Sequence, residues 1–189
     1  VIKIIDDKYP YRIKIIHDSV SYYYAIPFYG RHMIYNCAGA IITALIHNIG
    51  NIQKSIDSYK MPYRRMAEHR INDYLIIDDY AHHPTEVKVT LQAIRQKYPD
   101  KRLTVIFRPN TYSRTSAFKN EFASALSEAD KVYLTPIKCD RERKEDYPPI
   151  SSDDIIKLIP NSELVDEDSI SKVLKDKDGV VAFMGCATV

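Results

Sequence analysis

YLIIDDYAHHPTE, residues 74–86, joins an apolar run, a polar turn and the start of a helix. The run 74–77 has the length and composition of a buried strand, and Asp78 and Asp79 follow it directly. Pro84 suits the first position of a helix, where its missing N–H is not needed. Ligands of an open α/β sheet bind outside the carboxyl ends of its strands. The acids and imidazoles of this turn are therefore predicted to lie at a ligand-binding edge.

Strand and helix patterns alternate on the carboxyl side of this turn. Apolar residues at helical spacing run from Pro84 to about Lys97, and they recur after Arg114, near Ile155 and over residues 168–175. The strands predicted between these helices cover residues 102–107, 131–137, 162–165 and 180–184. This alternation predicts an α/β fold with a mostly parallel, doubly wound sheet.

The amino-terminal third has a different pattern. Residues 1–26 are predicted to form strands around a turn at residues 6–10. A helix is predicted over residues 31–47, stopped by Gly50. Asn51 is then predicted to cap a second, short helix.

The length of 189 residues suits one domain, or a small domain plus part of another. Pro62 breaks the helical pattern, so a boundary is predicted there, between domains of residues 1–62 and 63–189. The chain begins without Met and inside a strand-like run. We therefore expect it to be a piece of a longer protein.

Composition excludes several classes of partner. Hydrophobic residues make up 45% and charged residues 28%, as in an ordinary globular chain. A net charge of +2 is too small to indicate a nucleic-acid or membrane-surface partner. No apolar run approaches the length of a membrane span, and the first residues lack a signal-peptide pattern. Cys37, Cys139 and Cys186 have no metal-ligand spacing, which favours reduced thiols and a cytoplasmic location.

Polar clusters follow three of the predicted strands, at residues 78–83, 108–114 and 138–144. Because the carboxyl ends of parallel strands share one edge of a sheet, we expect these clusters to meet. His82 and His83 lack the spacing of a metal site, so no metal ligand is predicted in this chain. A structural role for His83 at the cap of the following helix remains open beside substrate contact or proton transfer.

Two side chains of these clusters suit ligands, although each has a simpler explanation. An Asp at a strand end beside a helix N-terminus, as at Asp79, suits hydrogen bonds to sugar hydroxyls. Arg114 begins a predicted helix, where a cation is disfavoured by the helix dipole. It is therefore either an anion ligand or a solvated side chain.

Four segments together resemble the Mur ligases of peptidoglycan synthesis. They are GRHMIYNCAGAI at residues 30–41, YRRM at 63–66, DDYAHHPTEV at 78–87 and IFRPNTYSRT at 106–115. The third resembles the branch of the family that attaches L-alanine. The resemblance implies that residues 1–62 are the tail of an α/β ATPase central domain. Residues 63–189 would then form the C-terminal Rossmann-like ligase domain, without its last helix.

The resemblance also implies an activity. ATP would phosphorylate the carboxylate of UDP-N-acetylmuramate, and the amine of L-alanine would attack the acyl phosphate to form an amide. Mg²⁺ would be held mainly by residues outside this chain, which has no phosphate-binding loop. The partners of the chain would be the missing N-terminal and central-domain segments of the same bacterial enzyme, and the chain alone is expected to be inactive.

The resemblance assigns nucleotide contacts to four residues. Asn36 would contact the adenine with His32 beside it, Arg65 would reach the phosphates, and Asp79 would bind the ribose hydroxyls.

The amino-acid side of the site would use three further residues. Tyr80 and His82 would line the pocket, and Arg114 would hold the carboxylate of L-alanine with its planar guanidinium. Arg65, His82 and Arg114 would be the residues closest to catalysis.

The sequence departs from the family pattern at several positions, which include Met33, Met66, Arg108, Asn110 and the residues after Gly185. Two alternatives therefore stay open. One is the related ligase that attaches a recycled tripeptide to UDP-N-acetylmuramate. The other is a non-catalytic module that binds a nucleotide or a cell-wall metabolite.

Overall fold

The computed structural model describes residues 1–71, 74–138, 141–173 and 179–186. The chain divides into two compact units, Val1–Lys60 and Met61–Val189. The division lies close to Pro62, where the helical pattern of the sequence breaks.

The first unit is an antiparallel sheet with two helices. Its elements are β1 (Ile2–Asp6), β2 (Tyr11–His17), β3 (Val20–Ile26), α1 (His32–Ile46) and α2 (Ile52–Ser58). The strands pair in the order β1-β2-β3. Ile13 and Ile15 are two residues apart, so both face the same side of β2. They pack there with Ile34, Ala38 and Ile41 of α1. The predicted strands and the predicted first helix are therefore confirmed.

The turn between α1 and α2 differs from the predictions in two details. Helix α1 ends at Ile46, before Gly50, and the residue in the left-handed conformation is Asn48 with φ 55°. Asn51 is the N-cap residue of α2, as predicted, but it has φ 56° and its side chain makes no capping hydrogen bond. Asn is one of the few residues that tolerate positive φ, so both asparagines serve the turn through their backbone.

The second unit is built around a six-stranded sheet. Its strands are β4 (Ala67–Ile71), β5 (Tyr74–Asp79), β6 (Arg102–Phe107), β7 (Lys131–Leu134), β8 (Ser162–Leu164) and β9 (Gly179–Met184). Its helices are α3 (Pro84–Lys97), α4 (Tyr112–Ala117), α5 (Lys119–Leu126), α6 (Asp153–Ile156) and α7 (Ile170–Val173), with 3-10 turns at Lys144–Asp146 and Glu167–Ser169. The strand order is β4-β5-β9-β6-β7-β8, and only the β4–β5 pair is antiparallel. The predicted α/β class with a mostly parallel, Rossmann-like sheet is confirmed.

Both faces of this sheet are covered by apolar side chains. Val105 of β6 and Ala182 of β9 belong to the larger core, which also takes the buried faces of α3 and α5. Their chain neighbours Ile106 and Val181 point to the opposite face, where Ile170 of α7 packs on them. Successive strand residues face opposite sides, so two covered faces require the nearly continuous apolar runs seen in β6 and β9.

Three predicted boundaries change in this unit. Strand β7 ends at Leu134, because Pro136 cannot donate to the ladder. The helix predicted after Arg114 is divided into α4 and α5 at Phe118, where φ is −121°. The predicted helix 168–175 begins as a 3-10 turn, and its last residues, like residues 187–189, lie outside the described part of the chain.

The carboxyl ends of β5, β9 and β6 lie side by side. Gly185 follows β9 with φ +147°, and a Cβ there would lie 2.9 Å from the carbonyl oxygen of Arg108. That distance is shorter than a non-bonded carbon–oxygen contact allows. Glycine therefore permits the segments after β9 and β6 to approach each other at the edge that carries the polar clusters.

Candidate functional site

The polar clusters after β5 and β6 flank the end of β9. Strand β9 pairs with both neighbours in parallel, so the last residues Asp79, Phe107 and Met184 lie in one row. The third cluster, at residues 138–144, follows β7, the next strand of the sheet. Cys139 and Asp140 of that cluster lie outside the described residues. The structure thus brings the first two predicted clusters to one edge, with the described part of the third beside them.

Arg64 anchors this edge. It is 7% exposed, has φ 56°, and its Nε donates to both carboxylate oxygens of Asp78 at 3.0 and 3.1 Å. Its Nη2 donates to the carbonyl oxygen of Gly185 at 2.7 Å, and its Nη1 to that of Cys186 at 3.4 Å. One guanidinium therefore ties the segment before β4 to the end of β5 and to the turn after β9.

Arg65 has the opposite environment. It is exposed, and its guanidinium carbon lies 5.8 Å from the centre of the Tyr80 ring. The Arg64 guanidinium lies at 5.5 Å from the same ring, so Tyr80 has two cations near it. Of the two arginines, Arg65 is the one that an anionic ligand can reach.

Asp79 is buried, with 4% of its surface exposed. Its Oδ2 accepts from the amide of Met66 at 2.8 Å, and its Oδ1 from the amide of Ala81 at 2.8 Å. The hydroxyl of Thr90 in α3 donates to Oδ1 at 3.5 Å. Asp79 thus connects the segment before β4, the turn after β5 and helix α3.

The turn after β5 is closed by Glu86 and His83. Oε2 of Glu86 accepts from the amides of His82 and His83 at 3.0 and 3.2 Å, and Nδ1 of His83 accepts from the amide of Thr85 at 3.3 Å. The structural interpretation of His83 as the helix cap is confirmed. Burial raises the pKa of Glu86, but the two amide hydrogen bonds and the charges of His82 and Arg65 outweigh it, so its pKa lies below the ordinary value.

Glu86→Ala is expected to lower the free energy of unfolding by about 1 kcal/mol at pH 7, since the amides of His82 and His83 lose the acceptor that completes the capping box. The folded-state pKa of Glu86 is depressed, so its stabilisation is fully present above the unfolded-state pKa. That stabilisation is lost as the pH falls through the folded-state value. Urea titrations at several pH values should therefore show the difference from the wild type shrinking in the acid range. A difference that stays constant down to pH 2 would contradict this account. Glu86→Gln, which keeps an acceptor, is the control.

His82 precedes the cap residue His83 and contacts Tyr80. Its Nδ1 lies 2.8 Å from the carbonyl oxygen of Tyr80, and its ring is 5.1 Å from the Tyr80 ring in an edge arrangement. When Nδ1 donates to this carbonyl, Nε2 of the neutral ring is unprotonated and can accept a proton.

Arg114 lies in the first half of α4. Thr111 caps this helix by accepting from the Arg114 amide at 3.2 Å. The guanidinium extends to the β5 turn, where Nη1 lies 3.5 Å from the carbonyl oxygen of His82. The structure therefore brings Tyr80, His82 and Arg114 together as one group.

His32 and Asn36 belong to the other unit. Both lie on α1, four residues apart, and Nδ2 of Asn36 donates to the sulfur of Met33 at 3.8 Å. Asn36 is exposed and His32 is partly buried. They share a helix face, as their spacing predicts.

The described residues include no group of three or more His, Cys, Asp or Glu side chains placed to hold a metal ion. Within the same ranges, no helix has the length and hydropathy needed to cross a membrane.

Three residues that organise this edge were not among the sequence-predicted site residues: Arg64, Glu86 and Glu142. The spacing of His83 and Glu86 around Pro84 resembles a capping box, so the role of Glu86 had a detectable signal. Arg64 and Glu142 bond to residues distant in the chain, and no local pattern identifies them.

Residues 64–185 match the family model described as "Mur ligase, glutamate ligase domain". A UDP-N-acetylmuramate–L-alanine ligase of Lactobacillus helveticus is 41% identical over 169 residues, which are 88% of this chain and 38% of that protein. The chain therefore spans well under half the length of this relative.

Two solved structures share the fold. A UDP-N-acetylmuramate–alanine ligase from Thermotoga maritima has a TM-score of 0.71 at 21% identity, covering 94% of this chain and 40% of that one. The MurF ligase from Thermotoga maritima in complex with ADP has a TM-score of 0.65 at 16% identity, covering 98% of this chain and 42% of that one.

Proposed function

This chain belongs to the Mur ligase family, and we propose that it is part of an ATP-dependent ligase that joins L-alanine to the carboxylate of UDP-N-acetylmuramate. In this proposal it acts in the bacterial cytoplasm, in the synthesis of peptidoglycan precursors. The chain supplies the amino-acid side of the active site, and further amino-terminal and central-domain segments of the same enzyme supply the rest. The 41% identity to the Lactobacillus helveticus enzyme supports the choice of L-alanine.

The observation that carries the proposal is the group formed by Tyr80, His82 and Arg114. An amino-acid substrate needs a cation for its carboxylate and a group that can take a proton from its ammonium. Arg114 offers a planar, permanently charged guanidinium for the carboxylate. His82 offers Nε2 as the proton acceptor when its Nδ1 donates to the Tyr80 carbonyl. Tyr80 supplies an aromatic ring beside His82.

The nucleotide side is assigned to four residues. The exposed Arg65 would hold the phosphates of ATP, as a guanidinium suits phosphate oxygens. Asp79 would bind the ribose, and His32 and Asn36 of the first unit would contact the adenine. The ADP complex of the fold-related MurF ligase supports the proposal of a nucleotide site.

The chemistry of the proposed reaction needs little covalent participation from this chain. ATP transfers its γ-phosphoryl group to the muramyl carboxylate, and the neutral amine displaces phosphate from the acyl phosphate. The residues described here would position the amine and accept its proton. They do not form a ligand set for Mg²⁺, so no step is assigned to a metal in this chain.

The test is phosphate release by the full-length gene product with ATP, Mg²⁺ and UDP-N-acetylmuramate, with L-alanine or the cell-wall tripeptide as the amine. We expect release that depends on L-alanine. Release only with the tripeptide would assign the protein to the recycling branch. No release with either amine would favour a non-catalytic binding module.

Arg114→Lys is expected to raise KM for L-alanine about ten- to hundredfold with a smaller change in kcat, because lysine keeps the charge but loses the two-pronged contact. Arg143→Lys is the matched control, since Arg143 is exposed and pairs with Asp146. The measurement is steady-state phosphate release at varied L-alanine. Equal KM values for the Arg114 variant and the wild type would remove Arg114 from the amino-acid site.

A further inference from the structure

Glu142 fastens the loop after β7 to the first turn of helix α4. Its Oε2 accepts from the amide of Ser113 at 3.0 Å, and its Oε1 accepts from the hydroxyl of the same serine. This carboxylate therefore holds both donors of one residue of α4, although it lies on a different loop.

The carboxylate of Glu142 is ionised at neutral pH. Burial raises its pKa, but hydrogen bonds from the hydroxyl and amide of Ser113, the amide of Tyr112 and the hydroxyl of Tyr147 outweigh this and lower it below the ordinary value. The donors from Tyr112 and Ser113 belong to the first turn of α4, where helix amides have no partner inside the helix. Glu142 supplies that partner.

The same turn is also fixed from inside the helix. Oγ1 of Thr111 accepts from the amide of Arg114 at 3.2 Å, and the hydroxyl of Thr115 donates to the carbonyl of Thr111 at 2.6 Å. Thr115 is 1% exposed, so its side chain is buried. Glu142 restrains the amides of Tyr112 and Ser113 in the same turn. Arg114 follows these two residues directly in the helix.

Helix α4 has only six residues, too few to be stable without external contacts. The guanidinium of Arg114 lies at the end of a long, flexible side chain, 3.5 Å from the carbonyl of His82. Any rotation of the first turn therefore moves the guanidinium relative to Tyr80 and His82. A restraint on this turn acts on the geometry of the proposed amino-acid site.

We propose that Glu142 is a positioning residue for amino-acid binding: it sets the orientation of Arg114 through Ser113 and Tyr112, without touching the substrate. The inference rests on the proposed function, in which Arg114 holds the substrate carboxylate. It adds a determinant of amine affinity on the loop that carries the third polar cluster, residues 138–144.

The experiment uses the full-length gene product and the variants Glu142→Gln and Glu145→Gln. Glu145 is exposed in the same loop, so its variant controls for the loss of one negative charge there. Glu142→Gln is expected to raise KM for L-alanine about tenfold while kcat and KM for ATP stay near wild type, as expected for a displaced binding group. Hydrogen exchange at the Ser113 amide should become faster. Glu145→Gln should change none of these quantities.

The double variant Glu142→Gln with Arg114→Lys separates positioning from general stability. If Glu142 acts through Arg114, its substitution should change KM little once Arg114 is already altered. Additive effects in the double variant would overturn the proposal. Equal increases in KM for ATP and L-alanine, together with a lower Tm, would also overturn it in favour of a merely structural role.

Failure of the proposed function can be distinguished from failure of the positioning role of Glu142. If the tripeptide proves to be the amine substrate, the assignment to L-alanine fails, and KM for the tripeptide tests Glu142 in the same way. If no amine supports phosphate release, the proposed function fails and the positioning role fails with it. Faster exchange at Ser113 would then show only that Glu142 restrains α4.

Discussion

Arg64→Ala is expected to lower the free energy of unfolding of the unit Met61–Val189 by about 3–5 kcal/mol, the usual result of removing one partner from a buried ion pair. The side chain of Asp78 is 19% exposed and would lose its cation. The carbonyl oxygen of Gly185 would lose its donor at 2.7 Å. The bond to Gly185 is buried, so the lost donor there is not readily replaced by water.

Hydrogen exchange of the β9 amides is the suitable measurement, because it reports the opening of this unit separately from the rest of the chain. Arg65→Ala is the matched control, since it removes the same side chain from an exposed neighbouring position. It should change the free energy of unfolding by less than about 0.5 kcal/mol. It should, however, weaken nucleotide use by the full-length gene product if Arg65 holds phosphates as proposed. Equal destabilisation by the two substitutions would contradict the division of roles.

The different environments of Arg64 and Arg65 could not be predicted from the sequence. Adjacent arginines in YRRM indicate a cationic turn, but the sequence does not say which one points inward. That choice depends on the positive φ of Arg64 and on carbonyl partners 121 and 122 residues further along the chain. Only the folded sheet brings Gly185 and Cys186 to Arg64.

The segment 74–86 was predictable because its determinants are local. The apolar run, the proline at the helix start and the glutamate three residues after His83 all act within one turn of chain. The parallel sheet follows from the strand and helix alternation, and with it the meeting of the clusters after β5 and β6.

The contact made by the loop after β7, in contrast, could not be predicted from the sequence. The charges of this loop alternate in sign, which is typical of a solvated surface segment. The structure nevertheless places Glu142 on Ser113, 29 residues earlier in the chain. A charged loop residue that bonds to a helix elsewhere in the chain leaves no periodic pattern in the sequence, so its role is visible only in the structure.

Asp79→Asn is expected to lower the free energy of unfolding of the same unit by about 2–3 kcal/mol, since buried charge-assisted hydrogen bonds are costly to lose. Both carboxylate oxygens accept from backbone amides, one from Met66 and one from Ala81, each at 2.8 Å. An asparagine has only one oxygen, so its NH₂ group must face one of these two donors. The buried site, with Asp79 4% exposed, allows little rearrangement to relieve this conflict.

This substitution also separates two roles of Asp79. Its hydrogen bonds with the amides of Met66 and Ala81 stabilise the turn, whereas the proposed ribose contact would bind ATP. Exchange of the β5 and β9 amides measures the first role, and KM for ATP, measured at a temperature where the variant is fully folded, measures the second. Asp153→Asn, at an exposed helix start, is the matched control and should affect neither quantity. We expect both quantities to change in the Asp79 variant. Lower stability with an unchanged KM for ATP would limit Asp79 to the turn and remove the ribose contact, whereas unchanged exchange would contradict the structural role.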